Sequence, residues 1–280
     1  MAIRAVLLGV AQDAGVPQAG CTCPRCLQAW ENPHKRRWVV SLGLADSDRQ
    51  RFWLVDATPH FKEQLHLMQT LFPAARLAGL FLTHAHIGHY TGLIHLGREA
   101  MGANRVPVYV SERMENFLRR HAPWSQLVAD HHIDVRVISP GGAIRLDQSA
   151  TVVPVAVPHR DEWSDTLAFY IRGAHRSLFY CPDADTWQGW SPESAEYLQK
   201  ANVALLDATF YSRDELPHRN LDEIPHPVVL ENMAFLGDLA ASVVLIHLNH
   251  SNPLLDPGDE RAYLASFGVQ VGQRGQYWLL

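Results

Sequence analysis

The sequence predicts a layered α/β protein with mixed sheets. Short β-branched and aromatic runs recur along the whole chain, and helical patterns fall between several of them. In addition, three histidines within six residues follow one of the apolar runs, which marks a strand end with metal-binding chemistry.

The runs that read as strands are 3–9, 38–44, 51–56, 78–83, 106–110, 133–138, 151–157, 166–172, 177–181, 203–207 and 242–248. Thr58 as N-cap and Pro59 in the first turn open a helix, along which Phe61, Leu65, Met68 and Phe72 follow helical spacing. Ser111 opens a second helix, with Glu112 and Glu115 in the first turn, where the helix dipole favours them. Weaker helical patterns run near 191–200, 226–236 and 258–266, and the Gly-rich polar stretch 139–149 reads as a hairpin or loop. No short repeat or low-complexity tract interrupts the chain. Motifs spread from Cys21 to His250 predict one large domain over 1–280.

With 280 residues, 47% hydrophobic and 19% charged, the chain has ordinary globular composition. A net charge of −5 gives no electrostatic footprint for nucleic acid and no polybasic patch for a membrane surface. The N-terminal apolar run is short and gives way to Asp13 and a Gly/Pro loop, so it reads as a first strand rather than a secretory signal. No apolar segment approaches the ~20 residues that span a bilayer. Three of the four cysteines crowd into 21–26, unlike a disulfide framework, and a reducing cytoplasm is the expected compartment.

His84 and His86 leave the apolar run 78–83 two residues apart, so their side chains can point the same way. His89 starts the next helix and can fold back towards the same point. Neutral imidazoles converging at a strand end suit a catalytic transition metal. The chain has 16 histidines, so one or two here would be incidental; three in six residues are not so easily explained.

Cys21, Cys23 and Cys26 can be presented to a single ion by one tight turn. Thiolates are soft ligands, so a closed tetrahedral structural zinc is expected, with His250, three residues after His247, as the fourth ligand. A redox role would more often show a lone Cys-x-x-Cys at a helix start. Cys181 reads as a buried small apolar residue.

The run Thr83-His84-Ala85-His86-Ile87-Gly88-His89 resembles the His-x-His-x-Asp-His signature of the metallo-β-lactamase superfamily. Four further stretches resemble that family's motifs in order: Leu54-Val55-Asp56-Ala57, Val157-Pro158-His159 with 165–169, Phe179-Tyr180-Cys181-Pro182-Asp183, and Leu245-Ile246-His247. The resemblance implies a four-layer αββα sandwich. It also implies a metal held by His84, His86, His159 and Asp183, and a second reached by His89, Asp183 and His247. Gly88 departs from the signature, which has Asp there. One ion or two are therefore both open. Asp161, Glu162 and His60 are groups that can compensate, although a solvated loop place is the plainer reading of each. The Cys clip with His250 is similar to that of the cyclic phosphodiesterases associated with phosphonate breakdown. More of the chain resembles the pyrroloquinoline quinone biosynthesis protein B family, through 8–18, 91–99, 206–209, 247–253 and the C-terminal strand pattern. That family typically lacks the full His-x-His pair kept here.

The function these readings imply is hydrolysis of an ester or phosphodiester by a metal-bound hydroxide. Asp183 serves as an anionic or bridging ligand, and His89 and His247 as further ligands or proton donors. Zinc, manganese or iron suits the active-site position. The quinone-family resemblance implies, as an alternative, iron-dependent hydroxylation of an aromatic precursor. A non-catalytic metal-binding scaffold is a third reading. A small-molecule substrate is expected. Trp163, Trp187 and Trp190 stand near the His159 and Asp183 motifs, as pocket wall or as packing. Neither the substrate's identity nor the oligomeric state is written in any residue run.

Overall fold

The computed structural model describes residues 2–280 apart from 147, 149 and 240. In chain order β1 (Arg4–Gly9), β2 (Ser41–Asp46), β3 (Arg51–Val55), β4 (Arg76–Phe81), β5 (Val106–Val110) and β6 (Ile133–Val137) build one sheet. A second sheet is formed by β7 (Ile144–Leu146), β8 (Ala150–Ala156), β9 (Leu167–Arg172), β10 (Ser177–Cys181), β11 (Val203–Asp207), β12 (Ser242–Ile246) and β13 (Gln270–Val271). The final strand, β14 (Tyr277–Leu279), returns to the first sheet beside β1. Both sheets are mixed: β3 to β6 run parallel while β1, β2 and β14 pair antiparallel, and β10 to β13 run parallel beside antiparallel β7 to β9.

Apolar side chains from both sheets meet between them, among them Leu42, Val55, Phe81, Phe169, Tyr180, Leu205 and Ile246. The outer face of the first sheet is covered by α2 (Phe61–Leu71), α4 (Glu112–Arg120) and α5 (Trp124–Ala129), through Met68, Met114 and Trp124. On the second sheet α1 (Pro24–Glu31), α6 (Pro192–Lys200), α7 (Met233–Asp238) and α8 (Asp259–Ser266) do the same, through Ala29, Leu198, Leu236 and Leu264. The result is the αββα sandwich. Covering both faces explains why β10 and β11 are buried at every position and read as continuous apolar runs rather than alternating ones.

The main differences from the sequence-based expectation are local. The helix expected after Thr58 begins at Phe61, because the Thr58 hydroxyl accepts from His60 N–H and donates to Gln64. Ser111 and Ser191 cap α4 and α6 as their residue types suggest. Within 139–149, Ile144–Leu146 form β7, which pairs antiparallel with β8; residues 147 and 149 lie outside the described residues. The pattern at 226–236 is not one helix. Pro227 disfavours a helical His226, and helical turns start only at Val229 and Met233. No helix among the described residues is long and apolar enough to cross a membrane.

The residues that follow β1, β3, β4, β8, β10, β11 and β12 gather at one end of the sandwich. This is the carboxyl-terminal end of the parallel strands, where α/β folds open a crevice.

Candidate metal centre

The expected ligands do converge. His84 and His86 follow β4, His159 follows β8, and Asp183 follows β10. Asp183 Oδ2 lies 3.2 Å from His84 Nε2 and 3.9 Å from His86 Nδ1, and Asp183 Oδ1 lies 3.1 Å from His159 Nε2. One donor atom from each of the four falls within 4.8 Å of the others, close enough to surround a single ion. A second group of four forms beside it. His89 Nε2 is 3.7 Å from Asp183 Oδ2, and so is His247 Nε2. Its fourth member is Asp13, from the loop after β1, whose Oδ1 stands 3.0 Å from His89 Nε2.

Outer partners fix which nitrogen of each ring faces inward. Asp56 Oδ2 takes the His89 Nδ1 side at 2.8 Å. Asp56 also accepts from the Thr83 hydroxyl, which lies 2.9 Å from His84 Nδ1. A hydroxyl that donates to Asp56 can only accept from His84, so His84 Nε2 is left with its lone pair inward. The second sheet repeats the device. Thr209 donates to Asp207 at 2.7 Å and lies 2.8 Å from His247 Nδ1. Asp185 holds His159 Nδ1 at 2.8 Å. Asp56 and His247 have left-handed backbones, with φ of 68° and 59°. Such residues cost of order 1–3 kcal/mol each and collect at functional sites.

The donor set fits metal ions. His84 Nε2, His89 Nε2, His247 Nε2, Asp13 Oδ1 and Asp183 Oδ1 are buried without a hydrogen-bond partner, an arrangement that a metal ion would resolve. The electrostatics agree. Burial and the neighbouring His89 hold His84 well below the usual imidazole range, so it is neutral and ready to ligate. Burial opposes charge on His89, but Asp56 and Asp13 overcome it and raise its pKa to about 10. Burial likewise works against ionised Asp183 and Asp207. The surrounding imidazoles win in both cases, holding Asp183 well below the carboxylate range and Asp207 at about 2. Ionised carboxylates packed this deeply need cations, and this is the environment metal ions occupy.

The clip forms as expected from the sequence. Cys21, Cys23 and Cys26 Sγ lie 3.6, 3.7 and 3.8 Å from His250 Nδ1, well placed to share one ion. Cys181 is buried and its thiol donates to the Asp183 carbonyl, outside every group of ligand atoms found among the described residues.

Three site residues escaped sequence reasoning. Asp13 sits in a Gly/Pro loop within the family-like stretch 8–18, where no neighbouring residue marks it as a ligand. Asp207 ends a strand with no chemical mark of its own. His226 lies between two prolines, yet its Nδ1 comes 2.8 Å from Asp207 Oδ2 and 3.3 Å from Asp183 Oδ1. Of the suggested substitutes for the missing carboxylate, Asp161 pairs with Arg113, His60 Nδ1 accepts from Val39 N–H, and Glu162 lies 3.4 Å from His86 Nε2, on its outer side, and pairs with Arg160. Trp187 and Trp190 pack into the second helical layer.

The centre opens on a cleft with two lobes that share Asp13 and Ile87. One, of about 590 Å³, is walled by His86, Tyr90, Phe117, His121, Arg160 and Trp163. The other, of about 390 Å³, has His226, Phe210, Leu216, Ile224 and Arg219.

Comparison with known proteins matches residues 51–248 to the beta-lactamase superfamily domain. The chain belongs to the metallo-β-lactamase superfamily. Among curated relatives, a coenzyme PQQ synthesis protein B from Stutzerimonas stutzeri is 28% identical, covering 96% of this chain and 97% of its own length. Its counterpart from Methylococcus capsulatus is 26% identical over the same shares. Among solved structures, zinc-bound PqqB from Methylobacterium extorquens superposes with a TM-score of 0.83 at 20% identity, covering 99% of this chain and all of the other. A diphosphatase from the PhnP family superposes at 0.72 with 24% identity, covering 100% and 98%. These likenesses establish the metallo-β-lactamase fold over the whole chain.

Proposed function

We propose that the protein is a metal-dependent hydrolase that cleaves an ester or phosphodiester of a small molecule. The observation that carries this reading is the set of three overlapping four-residue groups that share Asp183, two of them adjoining around the strand-end histidines, at the mouth of a two-lobed cleft. His84, His86, His159 and Asp183 hold one ion; His89, His247 and Asp183 face the second position. Zinc and manganese both suit these nitrogen and oxygen donors, and the zinc-bound PqqB structure favours zinc. Bound there, such ions supply the Lewis acidity that brings a water's pKa towards neutrality and steadies charge on the ester oxygens.

The chain's own residues do the rest. Asp56, Thr83, Asp185, Asp207 and Thr209 keep the imidazoles oriented. His226, held through Nδ1 by Asp207, turns its other side to the cleft it lines and can hand a proton to the departing oxygen. The two lobes accommodate the two substituents of a diester, and Arg160 and Arg219 complement its negative charge. Oxygen chemistry at iron drew support from the missing signature carboxylate at Gly88, but Asp13 puts a carboxylate back beside His89.

The test is turnover of phosphodiester and carboxylester panels with zinc or manganese. His84→Ala and His159→Ala should each abolish it. Full activity in either variant, or oxygen consumption by the iron-loaded protein without any hydrolysis, sinks the assignment.

A further inference from the structure

We propose that Asp13 is the carboxylate ligand of the second active-site metal, in place of the signature carboxylate that Gly88 lacks. This rests on the reading of the centre as a metal site. Asp13 belongs to the loop after β1, while Gly88 lies in α3 (Ile87–Tyr90), yet the two compete for one space. A Cβ built on Gly88 would collide with the Asp13 carboxylate and lie 2.6 Å from its Cα and 2.7 Å from its Cγ. Gly88 is not in the left-handed region, so no backbone requirement calls for glycine there. Its lack of a side chain is what lets Asp13 in.

The carboxylate is aimed at the right atoms. Asp13 Oδ1 is 3.0 Å from His89 Nε2 and 3.7 Å from His247 Nε2, and it joins Asp183 in a set whose donor atoms all lie within 4.8 Å. Asp13 Oδ1, His89 Nε2 and His247 Nε2 are each buried without a hydrogen-bond partner. Two imidazoles and two carboxylates form a four-donor site for zinc or manganese.

Moving the ligand to this loop has a structural consequence. The loop is tied down on both sides of Asp13, by Gln12 N–H to the Leu248 carbonyl and by Gln18 N–H to the Cys26 sulfur. Leu248 lies between His247 and His250, and Cys26 is part of the clip. The loop that carries Asp13 is thus hydrogen-bonded both to the clip and to the segment between His247 and His250.

The experiment measures zinc per chain by elemental analysis, and the affinity of each ion by chelator competition. It uses the intact protein, Asp13→Ala, and Gly88→Ala, which removes no ligand but pushes Asp13 away. We expect one clip ion plus two active-site ions in the parent. In Asp13→Ala the weaker active-site ion should be lost or bound more than about 100-fold less tightly, beyond what losing an outer-shell partner costs. In Gly88→Ala it should weaken at least about tenfold. Retention of the clip ion and an unchanged circular dichroism spectrum show that each variant is folded. Parent-like stoichiometry and affinity in Asp13→Ala overturn the proposal. So does a parent that binds the clip ion and a single active-site ion, which leaves the hydrolase reading standing. A parent that binds the clip ion alone overturns both.

Discussion

The Asp56 carboxylate lies 2.8 Å from His89 Nδ1 and accepts from both the backbone N–H and the hydroxyl of Thr83, at 2.8 and 3.0 Å. One fully buried side chain thus orients the rings of His84 and His89 from behind. Asp56→Ala should cost about 3–5 kcal/mol, the usual effect of removing one partner from a buried charged network. Denaturant unfolding of the zinc-free protein measures it, and a loss under about 1 kcal/mol would show that the network is not shared.

Asp185 plays a similar part for His159 but is partly exposed, with 32% of its side chain accessible. Asp185→Ala should therefore leave the fold intact and weaken active-site zinc binding by about 10–100-fold. Chelator competition at neutral pH reads the change directly.

His226 stands on the cleft side of Asp207; it lies outside the first group of ligands but forms a third group with Asp183, Asp207 and His247. His226→Asn should lower kcat by about 10²–10⁴ on substrates with poorly acidic leaving alcohols, and far less on nitrophenyl esters that need no proton. Equal losses on both substrate types would instead make His226 a ligand or a structural group.

Trp163 is 60% exposed on the wall of the larger lobe, beside Phe117 and His121. Trp163→Ala should shift stability by less than about 0.5 kcal/mol, as exposed sites do. For substrates with a planar aromatic group, KM should rise roughly 2- to 10-fold, matching the about 0.5–1.5 kcal/mol of an aromatic contact. Alkyl substrates serve as the internal control.

Cys23→Ser should empty the clip and lower the melting temperature, because α1 and the 250–256 segment are joined through it and through Arg25 to Asp256. Differential scanning calorimetry with and without zinc checks this. A variant that melts with the parent would show that the clip is dispensable.

The strand framework was legible in the sequence because strands buried on both faces, such as β10 and β11, are written as unbroken apolar runs. The His84, His159, Asp183 and His247 motifs were legible because each directly follows such a run. Strand β13 was missed, since two residues carry no periodicity, and β14 was legible only as a C-terminal strand pattern through the family resemblance. Helix α1 was not expected, because its first turns, with Pro24 and Cys26, overlap the cysteine run, which reads as one tight turn. Asp13 was invisible for a deeper reason. The residue that makes room for it is a glycine 75 positions away, and only the folded backbone reveals that one fills the space the other leaves.

The two groups of ligands draw on both halves of the sandwich: His84, His86 and His89 follow β4 of one sheet, whereas His159, Asp183 and His247 follow β8, β10 and β12 of the other. Ions bound among them would act as a clasp across the layer boundary at the open end of the sandwich. Amide protons in β4 and β12 should then exchange with deuterium in step, slowing together when zinc is added and quickening together when it is withdrawn, although the two strands share no hydrogen bond.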